Sequence, residues 1–260
     1  MKNEDFNDNL EEGIPFVTLN FVKIRKRPSQ ERGQAELGWL HARFTFSFAD
    51  YYDPKHNGFH SLVVMNNDLI EPGGGFATHP HDNAEIFTYV MSGRLEHKDS
   101  MGNGSVIQAG DLQYMSAGSG VRHSEFNPSA DEKTELYQIW MEPSQSGGEP
   151  RYAEKKLGQG AVSNELKLLF SGSGREESTE IRQDAEFFFG QLDEGLGLEL
   201  RPETGFPHAW IQVVSRKLQV DETNLEQADG LAIEEMDQTV ELSALEDCSF
   251  FVFRLPPGKK

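Results

Sequence analysis

The sequence predicts an all-β fold in which two β-domains, each a barrel or a sandwich, follow one another along the chain. The first observation is that short β-prone runs alternate with turn-forming residues over most of the 260 residues. The second is the composition, because phenylalanine, with 18 residues, is favoured over the leucine and alanine mixture typical of a helical bundle. The third is that the β-prone runs stop near residue 143 and resume beyond it, which indicates a second small β-domain.

The first half contains the clearest strand patterns. Phe44, Phe46 and Phe48 fall on one face of an extended chain, and polar residues occupy the other face, as a strand with one buried face requires. The β-prone runs of this half are residues 16–22, 43–48, 61–65 and 85–90. Those of the second half are residues 185–192, 196–200, 209–214, 231–234 and 249–255.

The domain boundaries follow from shifts in composition. We predict a flexible N-terminus over residues 1–13, an N-terminal barrel over 14–142, a linker over 143–150 and a C-terminal barrel over 151–260. The linker prediction depends on a single charged residue and the lack of any large apolar residue in that segment. A short helix is expected within residues 151–160.

Charge and cysteine content exclude several classes of protein. The chain has 24 Lys and Arg against 43 Asp and Glu, a formal net charge of −19 that repels phosphate backbones and anionic lipids. We therefore expect no direct nucleic-acid binding and no membrane association. Cys248 is the single cysteine, so an intramolecular disulfide is excluded, and the predicted location is the cytoplasm.

Two pairs of potential metal ligands are the densest chemical signal. His79 and His81 are two residues apart after a triple glycine, and His123 and Glu125 repeat this spacing after a second glycine-rich turn. Residues two apart on a strand project from the same face, so two antiparallel strands inside a barrel would direct three imidazoles and one carboxylate at a single ion. Glu85 shares the parity of His79 and His81, and is an alternative ligand or a residue that orients an imidazole.

The remaining histidines and the cysteine do not show this spacing. We interpret them as loop, supporting or core residues rather than ligands or nucleophiles. They are His41, His56, His60, His97, His208 and Cys248.

The two glycine-led segments resemble the two sequence motifs of the cupin superfamily. The first is carried by Gly73, His79, His81, Glu85 and Gly93, and the second by Gly110, Ser116, Gly118, His123 and Asn127. The blocks around them, including residues 38–41, 45–54, 88–90 and 95–103, are similar to those of the pirin family, especially its bacterial quercetinase-like branch. The resemblance spans residues 16–256. The sequence differs from that branch at Asp82, Asn83 and Ala84, where the branch usually has an arginine.

This resemblance implies two cupin (jelly-roll β-barrel) domains in tandem, with a single divalent metal ion in the first. The implied ion is ferrous iron held by His79, His81, His123 and Glu125, although an imidazole-rich site also accepts nickel, copper, manganese or zinc. Glu85 then lies outside the set of ligands. The second barrel, with no such pair of histidines, is expected to be metal-free.

The implied function is a metal-dependent dioxygenase of the quercetin 2,3-dioxygenase kind, acting on an aromatic substrate such as a flavonol with O2. Glu125 would also be the catalytic base that takes the substrate's enol proton. The alternative is a non-catalytic, iron-dependent regulatory protein that binds a protein partner, and a sugar-binding or isomerase cupin is a third hypothesis. We expect a monomer.

Overall fold

A computed structural model describes residues 23–157 and 162–258. The predictions for residues 1–13 and 16–22 lie outside the described residues. Over the described ranges the chain forms strands joined by turns, with two single-turn 3₁₀ helices, Ser29–Glu31 and Arg175–Glu177. In chain order the first strands are β1 (Lys23–Arg27), β2 (Gly33–Glu36), β3 (Leu40–Phe44), β4 (Leu62–Ile70), β5 (Gly75–His81), β6 (Glu85–Ser92), β7 (Arg94–Asp99), β8 (Gly104–Gln108), β9 (Asp111–Ser116), β10 (Val121–Phe126) and β11 (Thr134–Met141). The later strands are β12 (Arg151–Lys156), β13 (Glu165–Ser171), β14 (Thr179–Glu180), β15 (Glu186–Leu192), β16 (Gly197–Leu200), β17 (His208–Ser215), β18 (Leu218–Val220), β19 (Thr223–Leu225), β20 (Gly230–Glu234), β21 (Val240–Ala244) and β22 (Cys248–Leu255).

The strands are arranged in two pairs of sheets. The N-terminal pair consists of a seven-stranded sheet in the order β12-β9-β6-β11-β4-β3-β2 and a four-stranded sheet in the order β5-β10-β7-β8. The C-terminal pair repeats this plan with the orders β1-β20-β17-β22-β15-β13-β14 and β16-β21-β18-β19. Each pair encloses its own interior, so the all-β, two-domain prediction is confirmed.

One strand from each half joins the large sheet of the other half. β1 pairs with β20, placing Lys23 opposite Glu234, and β12 pairs with β9, placing Arg151 opposite Ser116. The helix expected within residues 151–160 is therefore wrong for residues 151–156. These residues instead cover the hydrogen-bonding edge of β9, which would otherwise be open. The division at residues 143–150 stays a prediction, because the sheets extend across it.

The two large sheets pack face to face through an aromatic core. Phe87 on β6 lies 5.3 Å from Phe187, and Tyr89 lies 5.3 Å from Phe251, measured between ring centroids. Rings of this kind bury large apolar areas and prefer edge-to-face contacts, as both pairs show. The opposite face of β6 carries Thr88 and Val90 into the N-terminal barrel, so this strand is buried on both faces.

The interiors of the two barrels differ in polarity. The C-terminal interior is filled by one apolar cluster that includes Leu192, Ile211 and Phe250. The N-terminal interior has two smaller apolar clusters, one around Leu95 and one around Met115. Polar side chains occupy the space beside them, and this space holds the candidate site. Within residues 23–157 and 162–258, the structure contains no helix that is long and apolar enough to cross a membrane.

Candidate metal centre

The two histidine-bearing segments are neighbouring strands. β5 and β10 pair antiparallel, with His79 opposite His123 and His81 opposite Val121. This register brings side chains that are 44 residues apart in sequence to adjacent positions on the four-stranded sheet. The meeting of the two segments that the sequence predicts is thus observed.

Three imidazoles converge at this point. The potential ligand atoms of His79, His81 and His123 all lie within 4.8 Å of one another. The Nε2 atoms of His79 and His123 are 3.0 Å apart, and the three ring centroids are separated by 4.5 to 4.8 Å. Nitrogen atoms at these distances can share one small cation.

The protonation of the imidazoles suits a cation. Nδ1 of His79 lies 2.8 Å from the carbonyl oxygen of Ala77, so it donates a hydrogen bond there and leaves the Nε2 lone pair free. Burial lowers the pKa of His81 to about 4, and that of His123 to about 3, with neighbouring imidazoles adding to the effect. Neutral imidazoles are the form that binds metal, so the donor set fits a divalent transition metal.

Glu125 lies beside this cluster but outside the group of atoms within 4.8 Å. Its side chain is buried and lines the same cavity as the three histidines. Thr88 Oγ1 donates a hydrogen bond of 3.3 Å to one carboxylate oxygen, and Gln138 Nε2 donates one of 3.2 Å to the other. Burial raises the pKa of this carboxyl group, which is partly opposed by His97, His79 and the two hydrogen bonds. A register shift separates His123 from Glu125 in the pairing of β10 with β5.

Glu85 points away from the histidines, towards the C-terminal half. Its carboxylate accepts hydrogen bonds from Tyr114 Oη at 2.5 Å, Ser116 Oγ at 2.5 Å and the backbone N–H of Arg182 at 2.9 Å. Glu85 was an alternative ligand because residues separated by an even number of positions on one continuous strand share a face. This rule does not hold for Glu85, because a turn separates it from β5. Asn83 adopts a φ of 48° there, which resets the two-residue alternation before β6 begins.

Two polar residues of the site were missed by the sequence analysis. Asn66 and Asp68 lie on β4, project into the N-terminal barrel and line the cavity that holds the histidines. Burial, and then the charge of Glu125, raise the pKa of Asp68 to about 7. The available signal was the polar run of residues 66–68 inside an otherwise apolar strand, since polar residues are rarely buried without a purpose.

A fourth buried histidine stands behind the cluster. His97 on β7 is fully buried, with its ring centroid 5.3 Å from that of His123 and stacked on Tyr152 at 5.2 Å. The other histidines lie outside the centre. His41 contacts Glu36 and Glu71, His56 contacts Asp53, and His60 stacks on His208.

Comparisons with known proteins agree with this architecture. Residues 25–141 match the family model described as Pirin, and residues 168–255 match that of the quercetinase C-terminal cupin domain. The chain is 43% identical over 236 residues, 90% of its length, to the quercetin 2,3-dioxygenase of Escherichia coli strain K12, of which it covers 99%. It is 38% identical over 233 residues to a pirin-like protein of Caulobacter vibrioides, covering 86% of this chain and 96% of that protein.

Solved structures show the same relationship. The crystal structure of YhhW from Escherichia coli is similar with a TM-score of 0.86 and 41% identity, over 92% of this chain and all of that one. A structure of bacterial pirin YhhW in complex with nickel(II) is similar with a TM-score of 0.85 and 41% identity, over 90% of this chain and 100% of that chain. The cluster of His79, His81 and His123 in this chain is correspondingly a site for a divalent metal ion.

Proposed function

The chain belongs to the pirin family and consists of two cupin domains in tandem, and from this premise we propose that it is a metal-dependent dioxygenase that opens flavonols such as quercetin with O2. The observation that carries the proposal is the cluster of three imidazoles facing a cavity walled by Phe48, Phe76 and Trp140. An aromatic wall beside a metal site suits a flat, multi-ring substrate. The E. coli protein named quercetin 2,3-dioxygenase, 43% identical to this chain, supports the same activity.

We further propose that the ion is ferrous iron. His79, His81 and His123 would hold it, with Glu125 as the fourth ligand from the same cavity. Nickel, copper, manganese and zinc are alternatives, because imidazole donors accept all of these metals. When bound, the metal supplies Lewis-acid polarisation of the substrate's enol oxygen and a centre for dioxygen chemistry.

Glu125 is the proposed catalytic base. Its carboxylate lies in the cavity and has a raised pKa, which makes it a stronger proton acceptor than an exposed glutamate. Thr88 and Gln138 each donate to one of its oxygens and hold its plane in one orientation. The enol proton of the flavonol would pass to this carboxylate as the substrate binds.

The aromatic walls would orient the substrate. Trp140 packs edge-on against His81 at 4.9 Å and against Phe48 at 5.6 Å, measured between ring centroids. These contacts fix the indole beside the cluster, where it can stack on a flat ring and exclude water. A single chain provides every group named, so we propose that the protein acts as a monomer.

The test uses the protein loaded with ferrous iron without oxygen and then given quercetin and air. We expect loss of flavonol absorbance with carbon monoxide released in equal amount, and no such reaction in His79→Ala. The matched control is His41→Ala, which removes a histidine outside the cluster and should retain activity. A fully loaded protein that leaves several flavonols intact would contradict the proposal and favour the regulatory alternative with a protein partner.

A further inference from the structure

We propose that Asn66 and Asp68 form a second anchor in the substrate cavity, a pair of hydrogen-bond acceptors that binds substrate hydroxyl groups other than the one that meets the metal. This inference rests on the proposed function, because it concerns the same substrate, and it assigns the substrate class more narrowly. The favoured substrates are neutral flavonols that carry hydroxyl groups on the rings beyond the one that meets the metal.

The first support is the unsatisfied hydrogen-bonding capacity of the two side chains. Asn66 is 2% exposed and Asp68 is 4% exposed, yet the Oδ1 atom of each has no hydrogen-bond partner among the described residues. Buried acceptors are paired in the large majority of cases, because leaving one unpaired destabilises the folded chain. Two such atoms, two residues apart on the inner face of β4, offer acceptors in the cavity with which a ligand can pair.

The second support is the position of the pair between two cavities. One cavity, of about 180 Å³, contains the histidine cluster, and a second, of about 380 Å³, extends towards Leu40 and Tyr51. Both are lined by Phe48, Asn66, Asp68 and Phe76. The first cavity alone is smaller than the roughly 300–1,000 Å³ of typical ligand pockets, whereas the second is within that range, so a ligand of ordinary size that reaches the histidines extends into the second cavity. A ligand that fills both lies against the residues that the two cavities share, which include Asn66 and Asp68.

The third support is the charge of the lining. No lysine or arginine is found among the described residues that line the two cavities, whereas Asp50, Asp68 and Glu125 are all present. A carboxylate or phosphate ligand would meet no cation in this lining with which to pair. The Oδ1 acceptors require donors, and phenolic hydroxyl groups on an otherwise apolar ring system provide them. The aromatic side chains on either side suit the flat rings that carry those hydroxyls.

The test compares two flavonols that share the metal-binding part. 3-Hydroxyflavone has no hydroxyl groups on its remote rings, and quercetin has them. We expect the wild-type protein, loaded with nickel and kept free of oxygen, to bind quercetin at least about tenfold more tightly in equilibrium titration, because a site built for hydroxyls discriminates against a ligand that lacks them. In Asn66→Leu and Asp68→Leu, the ratio of the affinity for quercetin to that for 3-hydroxyflavone should fall towards one. The affinity for 3-hydroxyflavone itself should be retained.

A matched control lies on the same strand. Asn67 points to the opposite face of β4, where it donates to Glu135 and to the carbonyl of Leu136, so Asn67→Ala should leave the preference unchanged. The ligand-free Asn66→Leu and Asp68→Leu proteins should have an unchanged or higher Tm, because each loses an unpaired buried acceptor. A purely structural role would lower the Tm instead and would overturn the inference.

Failure of the inference and failure of the proposed function give different results. If both leucine variants keep the wild-type preference while quercetin is still cleaved, the anchor is wrong and the dioxygenase proposal stands. If the preference is present and is lost in the variants, but no flavonol is cleaved in air, the anchor is right and the proposed reaction is wrong. If neither flavonol binds the wild-type protein, both are overturned.

Discussion

The Glu85 carboxylate, at the start of β6, accepts a hydrogen bond of 2.9 Å from the backbone N–H of Arg182, 97 residues later in the chain. The Arg182 side chain returns the contact by donating to Ser116 Oγ at 2.8 Å, and Ser116 itself donates to Glu85. A buried carboxylate with several donors joins the two barrels four residues beyond the His79 and His81 pair. This arrangement makes Glu85 a structural residue of the interface between the barrels.

Glu85→Ala should therefore destabilise the protein without removing its metal. The substitution leaves the Tyr114, Ser116 and Arg182 donors unpaired in a buried position, and we expect a loss of about 3 kcal/mol in the free energy of unfolding. Urea denaturation measures the loss, and elemental analysis of the folded fraction should find metal content unchanged. Loss of metal from protein that remains folded would contradict this assignment.

Glu125→Ala should have the opposite effect on the centre. Removing the carboxylate takes away the proposed base and fourth ligand, so turnover should be abolished and metal affinity should fall by about 10- to 100-fold. A competition titration with a chelator measures the affinity, with Glu85→Ala as the control. If both variants lose metal equally, the assignment of Glu125 as a ligand is refuted.

Gly75→Ala should weaken the metal centre through the backbone. Gly75 lies opposite Phe126 in the pairing of β5 with β10, and an added Cβ would lie 2.5 Å from the Phe126 Cα atom. The strands must separate to relieve this contact, which moves His79 away from His123. We expect lower metal affinity and a lower Tm, since overpacking typically costs about 1–3 kcal/mol.

Gly104→Ala is the matched control for that substitution. Gly104 is the first residue of β8 in the same sheet. A Cβ atom added there would have the Lys98 Cγ atom as its nearest neighbour, at 3.8 Å, which is an ordinary van der Waals contact. Metal affinity and Tm should stay at their wild-type values. Equal effects in the two alanine variants would show that strand separation at Gly75 is not the cause.

The stacked pair His60 and His208 should make stability depend on pH. Their rings are 3.7 Å apart, and the pKa of each is lowered from 6.5, chiefly by burial, although Glu234 opposes this for both. Below about pH 6.5 the unfolded chain binds protons at these sites more readily than the folded chain does. The stability that the neutral pair contributes is thus present above pH 6.5 and is lost as the pH falls below it.

Urea midpoints at pH 8 and pH 5.5 measure this effect in wild type and in His60→Asn. Asparagine is chosen because His60 has a φ of 54°, a left-handed conformation that asparagine tolerates. The acid-induced loss should be smaller in the variant, since one of the two titrating rings is absent. An identical pH dependence in both proteins would rule out the histidine pair as its source.

Local sequence patterns were enough to predict the fold class and the histidine cluster. Period-two alternation placed Phe44 on a buried face, but β3 ends at Phe44, and Phe46 packs against Trp210 in a different core instead of sharing that face. The same rule placed His79 and His81 together on one face of a strand. The sharing of a face requires only the geometry of an extended chain, which is set by covalent structure, whereas the convergence of His79 and His81 with His123 also required β5 and β10 to pair. The helix expected within residues 151–160 was wrong where residues 151–156 form β12, because pairing with a distant strand edge outweighed local preference.

The remainder depended on contacts between distant parts of the chain. The sequence by itself determined that two β-domains form and that His79, His81 and His123 can converge. Only the tertiary structure decided that Glu85 faces Arg182 and that Asn66 and Asp68 enter the cavity. The physical reason is that the alternation of side chains along a strand determines which residues share one of its faces. The packing of the other strands decides which residues that face contacts.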